Sequence, residues 1–406
     1  MNRKWQNLIK TMWARLTFRG EPSPEGWVFS SVHNRTFNYN SRYLFLYVRE
    51  HCPGIHPYYV VEDPELRERL SREYGEGYFI DSSTLQGIRK ILSCKVWFTS
   101  TAPPLYGTGF RKKYRIYNLW HGVPLKTVGM EQGNLSRLTR MYYRYFFADN
   151  YQGVLTTSQA LVPVMSRSFL VEPERIKVWG QPRNDCLFAE QDARGRLGSL
   201  FCNGGGEGGG QELPEFEKAI LYAPTFRDHG ETRLFPFSEF EGEGGGPERL
   251  ERFLKEHRML LCIRSHLYDR TEYGWLAEAD RPGSHIRFLN EDRAEDIMTV
   301  LNCFDLLITD YSSIYIDYLL MERPIIFLPY DRKEYLAERG LNFDYDDVTP
   351  GPKPEHFSRF LEWMERLLEG KDDPYREERR RVNHFFNQIT GPCCEDICRK
   401  VMEEEM

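Results

Sequence analysis

Short apolar runs alternate with longer segments of helical periodicity along most of this chain. Eleven of the short runs have the length and the β-branched and aromatic content that are typical of strands. The predicted strands are residues 27–32, 58–62, 95–101, 114–119, 153–157, 176–179, 219–223, 259–264, 286–289, 306–309 and 324–328. Regular alternation of strands with helices is typical of parallel sheets that carry helices on both faces. The pattern therefore predicts an α/β protein.

A polar stretch at about residues 190–217 interrupts this alternation and contains the glycine-rich run 203–210. The run lacks the Gly-Lys-Ser/Thr ending of a phosphate-binding loop and follows no predicted strand. A flexible linker or surface insertion is therefore favoured over a phosphate site. We expect two α/β domains, residues 25–195 and 218–406, which are joined by a linker at 196–217 and face each other across a cleft.

The first 24 residues have a pattern of their own. Apolar residues recur at helical spacing, and they are Trp5, Leu8, Ile9, Met12, Trp13 and Leu16. Residues 1–20 contain five basic residues and no acidic residue. This combination predicts a helix at residues 1–24 that lies on an anionic membrane surface. Docking of the same stripe on the protein's own core stays open as the alternative. A second basic and aromatic run, 136–147, either joins that surface or flanks the site as a half-buried helix.

Composition narrows the function classes. A length of 406 residues suits two domains, at about 150 residues each. The net charge of −6 argues against a general nucleic-acid binder. Nine scattered cysteines without a CxxC pair or zinc-like spacing predict reduced thiols, with neither a disulfide framework nor a metal site. No run of 18 apolar residues is present, so we predict no transmembrane helix.

The most informative stretch for chemistry is Trp120-His121-Gly122-Val123-Pro124, with Lys126 two positions further on. It follows the predicted strand 114–119, and ligands bind at the carboxyl ends of strands in open α/β sheets. A histidine displayed there can exchange a proton near neutral pH. The alternative is a structural histidine in a tight turn.

Polar groups recur after four later strands. The clusters lie at 180–185, 223–228, 264–266 and 309–313, and their candidate residues are Arg183, Asn184, Thr225, Arg227, Arg264, His266, Asp310, Ser312 and Ser313. The two serines suit a helix N-terminus, where free amides favour an anion, although capping alone would also explain them. So many cations predict a ligand with several negative charges. The chain has no DxD, HExxH or cysteine cluster of suitable spacing, so we expect no metal.

Five segments together resemble the CDP-glycerol glycerophosphotransferase family of bacterial teichoic acid primases and polymerases. They are WHGVPLKTVG (120–129), GQPRND (180–185), LYAPTFRD (221–228), RSH (264–266) and the long run from LITDYSS (307–313) to RKEY (332–335). The resemblance covers roughly residues 27–390. It implies a GT-B architecture of two Rossmann-like domains, with the acceptor toward the first domain and the CDP-polyol donor mainly on the second. One departure is Asn34, where the family pattern has glycine.

The resemblance also implies roles. The family's two principal histidines correspond to His121 and His266. We expect His121 to take a proton from the acceptor hydroxyl, while His266, Arg183, Arg227 and the amides at Ser312 and Ser313 hold the diphosphate. Asn184, Thr225 and Arg264 are further donor-side candidates, and Gly122 and Lys126 lie on the acceptor side. Asp310 and Asp317 either orient hydroxyls of the donor or support their turn.

The expected reaction is transfer of glycerol phosphate from CDP-glycerol to a lipid-linked disaccharide, with release of CMP and without a cofactor. The enzyme would work peripherally, on the cytoplasmic face of an anionic membrane, in wall teichoic acid synthesis. The chain's length favours a primase. A glycerol- or ribitol-phosphate polymerase, a nucleotide-sugar glycosyltransferase of GT-B type and a non-enzymatic membrane or polysaccharide binder are the alternatives. The oligomeric state stays open, a homo-oligomer included.

Overall fold

The computed structural model of the chain describes residues 3–133, 135–190, 192–202, 213–225, 227, 232–241, 245–264, 274–370 and 372–404. The chain forms two compact units. The first comprises Met1–Asp185 together with Phe386–Met406, and the second comprises Cys186–Phe385.

Twelve strands are found in the described residues, seven in the first unit and five in the second. They are β1 (Ser23–Ser30), β2 (His56–Val60), β3 (Phe79–Ile80), β4 (Cys94–Thr99), β5 (Arg115–Asn118), β6 (Gly153–Thr156), β7 (Ile176–Val178), β8 (Lys218–Tyr222), β9 (Met259–Ile263), β10 (Ile286–Phe288), β11 (Leu306–Thr309) and β12 (Ile325–Phe327). Every predicted strand is present, and the two-residue β3 is an addition.

The α-helices of the described residues lie between and after these strands. They are α1 (Arg3–Thr17), α2 (Tyr39–His51), α3 (Pro64–Tyr74), α4 (Leu85–Leu92), α5 (Arg137–Phe146), α6 (Val162–Phe169), α7 (Ala193–Cys202), α8 (Ser238–Glu241), α9 (Gly246–Glu256), α10 (Gly274–Ala279), α11 (Ile314–Tyr318), α12 (Arg332–Arg339), α13 (Tyr345–Val348), α14 (Phe357–Leu368), α15 (Arg376–Phe386) and α16 (Cys394–Glu403). Side chains that precede a helix cap some of them. Asp63 accepts from the amide of Leu66 at the start of α3, and Thr84 does the same for Gly87 in α4.

Each unit contains one parallel sheet. The strand order is β3-β2-β1-β4-β5-β6-β7 in the first unit and β10-β9-β8-β11-β12 in the second. Both orders begin with the strand order of the Rossmann fold. In each sheet the order in which strands are added reverses once, between β1 and β4 in the first and between β8 and β11 in the second. Ligands of such sheets bind beyond the carboxyl ends of the strands at this reversal. The predicted α/β class with two Rossmann-like sheets is confirmed.

Apolar strand residues supply the core of each unit. In the first unit Trp27, Phe29 and Phe98 pack with Leu44 and Phe45 of α2. The second core joins strand residues to helix α14, and it includes Ile220, Leu261, Ile308, Phe357 and Phe360. Side chains buried on both sides of a parallel sheet explain why these strands appear as nearly continuous apolar runs in the sequence.

The last helix lies in a different unit from the one we predicted. We assigned residues 218–406 to one domain, but Phe386–Met406 belongs to the first unit. The reason is local packing, because Ile397 and Val401 of α16 are fully buried in the first unit's core. The predicted linker at 196–217 also differs in part, since α7 extends into it. The glycine-rich run 203–210 lies outside the described residues.

Helix α1 carries the predicted apolar stripe on its exposed side. Ile9, Met12, Trp13 and Leu16 are 53%, 55%, 48% and 81% exposed. The helix is attached instead through buried Thr11 and Ala14 and through Arg15, whose guanidinium donates to the carbonyl oxygen of Thr108 at 2.9 Å. Docking of this part of the stripe on the protein's own core is therefore not what the structure shows.

Across the part of the chain that the structure describes, no helix combines the length and the apolar character needed to cross a bilayer.

Candidate active site

His121 lies just past the carboxyl end of β5, in a turn with unusual backbone angles. Trp120 has a φ of 54° and Gly122 a φ of 153°, in regions where side chains rarely occur. The amide of Trp120 donates to the side chain of Asn118 at 2.9 Å, which stabilises the turn. The chain thus displays the imidazole at the strand end instead of burying it along a helix.

A backbone carbonyl determines the tautomer of His121. Nδ1 lies 3.0 Å from the carbonyl oxygen of Ser100, the residue that follows the last positions of β4. Because a carbonyl oxygen only accepts, Nδ1 must carry the hydrogen. In the neutral ring Nε2 then keeps its lone pair and can accept a proton.

The neutral state of this ring is strongly favoured. Loss of hydration, with a smaller contribution from the nearby Arg183 charge, lowers the pKa of His121 from 6.5 to about 4, against the opposing effect of the bond to Ser100. The imidazole is therefore uncharged across the physiological range, as a proton acceptor must be.

Residues at the start of α2 contact the same turn. The Tyr39 ring stacks on the imidazole with a centroid distance of 5.0 Å. The Asn40 amide nitrogen donates to the carbonyl oxygens of Leu119 and Trp120 at 3.1 and 3.0 Å. Neither residue was singled out from the sequence.

The 180–185 motif adjoins the His121 turn. Arg183 donates through Nη1 to the carbonyl oxygen of His121 at 2.8 Å, and its amide donates to the Asn40 side chain at 3.1 Å. Arg183 and Asn184 are both buried. Asp185 accepts from the amides of Cys393 and Cys394 at 2.8 and 2.9 Å, so this carboxylate secures the start of α16. The structure thus brings His121, Gly122 and Arg183 together in one unit.

In the second unit, Arg227 lies inside a polar cluster at the point where strand order reverses. Its guanidinium donates to Asp331 at 2.6 and 2.9 Å, to Asp310 at 2.9 Å and to the carbonyl oxygen of Thr225 at 2.6 Å. The rings of Tyr311, Tyr330 and Tyr335 lie 5.0–5.2 Å from its central carbon. Burial alone would lower the pKa of Arg227, but Asp310 and Asp331 raise it well above its ordinary value.

Asp310 supports its own turn. The carboxylate accepts from the amide of Thr225 at 2.8 Å and from that of Tyr311 at 2.6 Å, besides Arg227. Its carbonyl oxygen accepts from the Tyr345 hydroxyl at 2.8 Å. Thr225 follows β8 and Asp310 follows β11, so the cluster joins the two strands at the reversal. These contacts support the turn, and the other predicted role of Asp310, to orient hydroxyls of the donor, stays a prediction.

Arg264 binds a loop of its own unit. Its Nη1 donates to the carbonyl oxygens of Leu289 at 3.4 Å, Asn290 at 3.1 Å and Ala294. Its backbone amide donates to the carbonyl oxygen of Tyr222 at 2.8 Å. Burial lowers the pKa of Arg264. His266, two residues further on, lies outside the described residues.

The serines of the 309–313 cluster precede a short helix. The Ser312 hydroxyl accepts weakly from the amide of Ile314 at 3.5 Å, and Ser313 is the N-cap residue, although its side chain makes no capping bond. Both are partly exposed, whereas Asp317, within α11, is buried. Helix α11 follows these serines, as expected for a helix N-terminus, and a 3₁₀ turn at Leu319–Met321 continues it.

Two polar strand-end clusters, one bearing a neutral histidine and one a buried arginine, thus lie on Rossmann-like sheets. The family described as CDP-Glycerol:Poly(glycerophosphate) glycerophosphotransferase matches residues 14–403. The chain belongs to this family.

Curated relatives of the family act in teichoic acid synthesis. The chain is 28% identical over 313 residues to the teichoic acid poly(ribitol-phosphate) polymerase of Bacillus spizizenii, and the match spans 75% of this chain but 46% of that protein. It is 24% identical over 388 residues to the teichoic acid glycerol-phosphate transferase of Staphylococcus aureus, with 92% of both chains covered. The family relationship is thus to teichoic acid glycerol- and ribitol-phosphate transferases.

A solved structure shows the same fold. The wall teichoic acid polymerase TagF superimposes with a TM-score of 0.73 at 19% identity, covering 98% of this chain and 93% of the other. Together with the two Rossmann-like sheets, this likeness gives the chain a GT-B type of fold.

The structure shows how Asn34 is accommodated at the position where we expected glycine. Asn34 has a φ of 58°, in the left-handed region that glycine adopts most readily and that asparagine tolerates better than other side chains. Its amide nitrogen donates to Ser82 Oγ at 2.9 Å and to the carbonyl oxygen of Pro104 at 2.8 Å. The side chain therefore secures the loop that glycine would leave unattached.

Some residues of the two clusters could not be recognised as site residues from the sequence alone. Ser100 acts through its backbone oxygen, which every residue type has. Asp331 lies within the run 307–335 that carries the family resemblance, but nothing in its spacing indicated a bond to Arg227, 104 positions away. Lys126 is partly buried further along the His121 turn.

Among the described residues, one group of side chains could hold a metal ion. His257, Glu365 and Glu369 bring their ligand atoms within 4.8 Å of one another. His257 precedes β9, so the group lies at the amino end of that strand, opposite the end that carries the candidate site residues. Carboxylates at exposed helix ends are common, and we assign no metal to them.

Proposed function

We propose that this protein transfers glycerol phosphate from CDP-glycerol to a hydroxyl of a lipid-linked saccharide at a membrane surface, releasing CMP, in wall teichoic acid synthesis. The family relationship supports the donor and the reaction class. The observation that carries the mechanism is the bond between His121 Nδ1 and the carbonyl oxygen of Ser100.

His121 is the proposed general base. Its Nε2 accepts the proton of the acceptor hydroxyl while that oxygen forms a bond to the phosphorus that bears glycerol. The bond between this phosphorus and the bridging oxygen of CMP breaks, and CMP leaves with the electron pair. General base catalysis of this kind contributes about 10²–10⁴ in rate.

The departing phosphate must be stabilised as its charge grows, which is usually the largest contribution to catalysis. We assign this role to His266, with the amides at Ser312 and Ser313, as the family resemblance implies. Arg183 would hold the His121 turn and contribute its positive charge beside the site. Arg227, whose donors are directed at Asp310, Asp331 and Thr225, and Arg264, which binds a carbonyl-rich loop, would shape the donor side chiefly by holding its turns.

The choice between one transfer and many is part of the proposal. We favour a primase that adds one or a few glycerol phosphates, and coverage does not decide between the two: the S. aureus glycerol-phosphate transferase and a poly(glycerol phosphate) polymerase of B. spizizenii each match over nearly all of both chains. A ribitol-phosphate polymerase is also among the relatives. Mass spectrometry of the product formed on a short lipid-linked disaccharide distinguishes one added unit from a ladder of them.

The decisive assay measures nucleotide release by the full chain. CDP-glycerol with the lipid-linked acceptor should yield CMP and a product heavier by glycerol phosphate, whereas CDP-ribitol should yield little. Turnover should persist in EDTA, since the proposed reaction uses no metal. His51→Asn, which changes a histidine in contact with Tyr47 on α2, is a control that should retain activity. Release of UDP from a UDP-sugar instead of CMP from CDP-glycerol would identify the protein as a glycosyltransferase.

The exposed stripe of α1 supports work at a membrane surface. Ile9, Met12, Trp13 and Leu16 each leave about half or more of their surface exposed. Residues 1–20 contain five basic residues and no acidic residue, and an apolar face in such a segment suits the headgroup region of an anionic bilayer.

Helix α5 presents a similar face in the same unit. Leu138, Met141, Tyr142 and Tyr145 are exposed, and none of its residues is buried. Both helices border segment 106–110: Arg15 stacks on Phe110 at 4.5 Å, and Tyr106 contacts Phe147, the residue after α5, at 6.3 Å. We assign both helices to one membrane-binding surface, on the cytoplasmic face.

Vesicle flotation tests this surface. The protein should float with vesicles containing an anionic lipid and much less with neutral ones, because cations contribute about 1 kcal/mol each near an anionic surface. Changing Trp13 and Leu16 to serine should reduce flotation. Met402→Ser, which alters an apolar residue 39% exposed on α16, is the matched control and should bind like the parent protein. Equal flotation of all three would remove α1 from the surface.

A further inference from the structure

The imidazole of His121 is in contact with two aromatic rings that the proposed reaction does not use. Tyr39 lies 5.0 Å away with an interplanar angle of 29°, and Trp120 lies 3.8 Å away at 39°. Trp120 in turn packs on Phe169 of α6 at 4.7 Å. These rings displace water from the imidazole and restrict its rotation.

Both aromatic residues have left-handed backbone conformations. Tyr39 has a φ of 56° and Trp120 a φ of 54°. For residues other than glycine this conformation is strained, because Cβ comes too close to the following carbonyl oxygen. Such strain persists only where the surroundings enforce it, and it is concentrated at functional sites. Two strained residues that contact one histidine therefore indicate that its orientation matters.

The first turn of α2 enforces this arrangement through hydrogen bonds. Asn40, which is fully buried, holds the carbonyl oxygens of Leu119 and Trp120 and accepts from the amide of Arg183 at 3.1 Å. Next to it, Ser41 bonds through its amide and its hydroxyl to Ser100 Oγ at 2.9 and 2.8 Å. Ser100 is the residue whose carbonyl oxygen accepts from His121. Helix α2 thus contacts the ring, its turn and its hydrogen-bond acceptor.

We propose that Tyr39 and Asn40 are positioning residues for His121: Tyr39 fixes the plane of the imidazole and shields it from water, and Asn40 fixes the backbone that carries it. Neither residue touches the reacting atoms. The kinetic part of this inference rests on the proposed function, whereas the structural part concerns His121 alone.

Charged groups near the ring must be considered in any test by titration. Arg183, from the motif after β7, acts on His121 electrostatically and lowers its pKa. Tyr39 from α2 is the titratable side chain that stacks on the ring. Removal of the Tyr39 ring leaves Arg183 in place, so the change isolates the effect of shielding from water.

The test is an NMR pH titration of the histidine rings in the full chain. Tyr39→Asn removes the ring but keeps a residue that tolerates the left-handed backbone. It should raise the pKa of His121 from about 4 toward 6.5, by roughly one pH unit or more as water regains access to the ring. Tyr39→Phe keeps the ring and should leave the titration unchanged.

The chain offers a matched control on the same helix. Tyr47 contacts His51 with a centroid distance of 4.6 Å and an interplanar angle of 38°. Tyr47→Asn should leave the titration of His121 unaltered. If Tyr39→Asn folds, as judged by its melting temperature, and His121 still titrates as in the parent protein, the shielding role is overturned.

Kinetics test the second half of the inference. Asn40→Asp keeps the size of the side chain but loses the donors to Leu119 and Trp120. It should lower kcat about tenfold or more while changing KM little, because small displacements of a catalytic group have large effects on rate. Tyr39→Phe should keep near-normal kcat. Unchanged kcat in folded Asn40→Asp would overturn the role of Asn40. If the parent protein itself releases no CMP, the proposed function fails, while the titration still decides the role of Tyr39.

Discussion

The two strand-end clusters use charged side chains in opposite ways. In the first unit an imidazole is kept neutral, with one nitrogen bonded to a carbonyl oxygen and the other able to accept a proton. In the second unit a guanidinium is kept charged, and its donors are directed at two carboxylates and a carbonyl oxygen. A basic residue at a strand end therefore does not by itself indicate a site for an anionic ligand. Its partners within the protein determine whether it takes part in the reaction or stabilises the surrounding turns.

The largest expected effect is the loss of activity when His121 is removed, without a comparable loss of stability. His121→Ala should lower CMP release about 10²–10⁴-fold, because the proton acceptor is lost. The melting temperature should stay close to that of the parent protein, since Asn40 and Asn118 still hold the backbone of the turn. Circular dichroism melting and a CMP assay check both halves. Near-normal turnover would remove His121 from the role of base.

Removal of Arg227 should instead lower the stability of the fold. Arg227→Ala leaves Asp310 and Asp331 without their counter-charge, and Asp310 is only 2% exposed. Removal of one partner from a buried ion pair typically costs about 3–5 kcal/mol. Urea denaturation should show this loss in the second unit.

Arg359→Ala is the control for that experiment. Its side chain is 69% exposed and pairs with Glu362 on the surface. Surface pairs are worth about 0–1 kcal/mol, so this variant should unfold close to the parent protein. Equal losses in the two variants would show that the Arg227 cluster does not stabilise the second unit.

The pH dependence of stability gives a smaller difference between the clusters. The folded pKa of His121, about 4, lies below its ordinary 6.5. Between these values the unfolded chain binds the proton more readily, so folded stability rises with pH over this window and falls as pH drops through it. The slope from one such group is at most about 1.4 kcal/mol per pH unit.

Urea denaturation of the parent protein and of His121→Asn at pH 4.5 and 6.5 measures this slope. The difference between the two proteins isolates His121, and Arg227 contributes nothing because it stays charged throughout.

In the same window CMP release should be nearly flat, with its acidic limb near pH 4. An acidic limb near 6.5 would show that the ring is hydrated during the reaction.

The sequence predicted the parts of the fold that depend on local pattern. Each of the eleven apolar runs forms a strand, because buried parallel strands require apolar side chains on both faces. Strand β3, with two residues, is too short to leave a periodic signal. The position of α16 depends on contacts with strands hundreds of residues earlier, so its amphipathic pattern predicts a helix but not its partner.

The candidate site was predictable to a similar degree. Residues with distinctive chemistry at strand ends, such as His121 and Arg227, could be found from the sequence. Their immediate partners could not, because Ser100 acts through its backbone and Tyr39 through its ring on a different element. What a titratable residue does depends on these partners, so the contrast between the two clusters became visible only in three dimensions.

The return of α16 to the first unit has a practical consequence for dividing this protein into parts. The chain passes between the units twice, after Asp185 and before Phe386. The Asp185 carboxylate accepts hydrogen bonds from the amides at the start of the returning helix. A fragment that stops at residue 185 would lack the apolar face of α16 and expose the core that it covers. Anyone who wishes to study the His121 half in isolation should therefore fuse residues 386–404 back onto it.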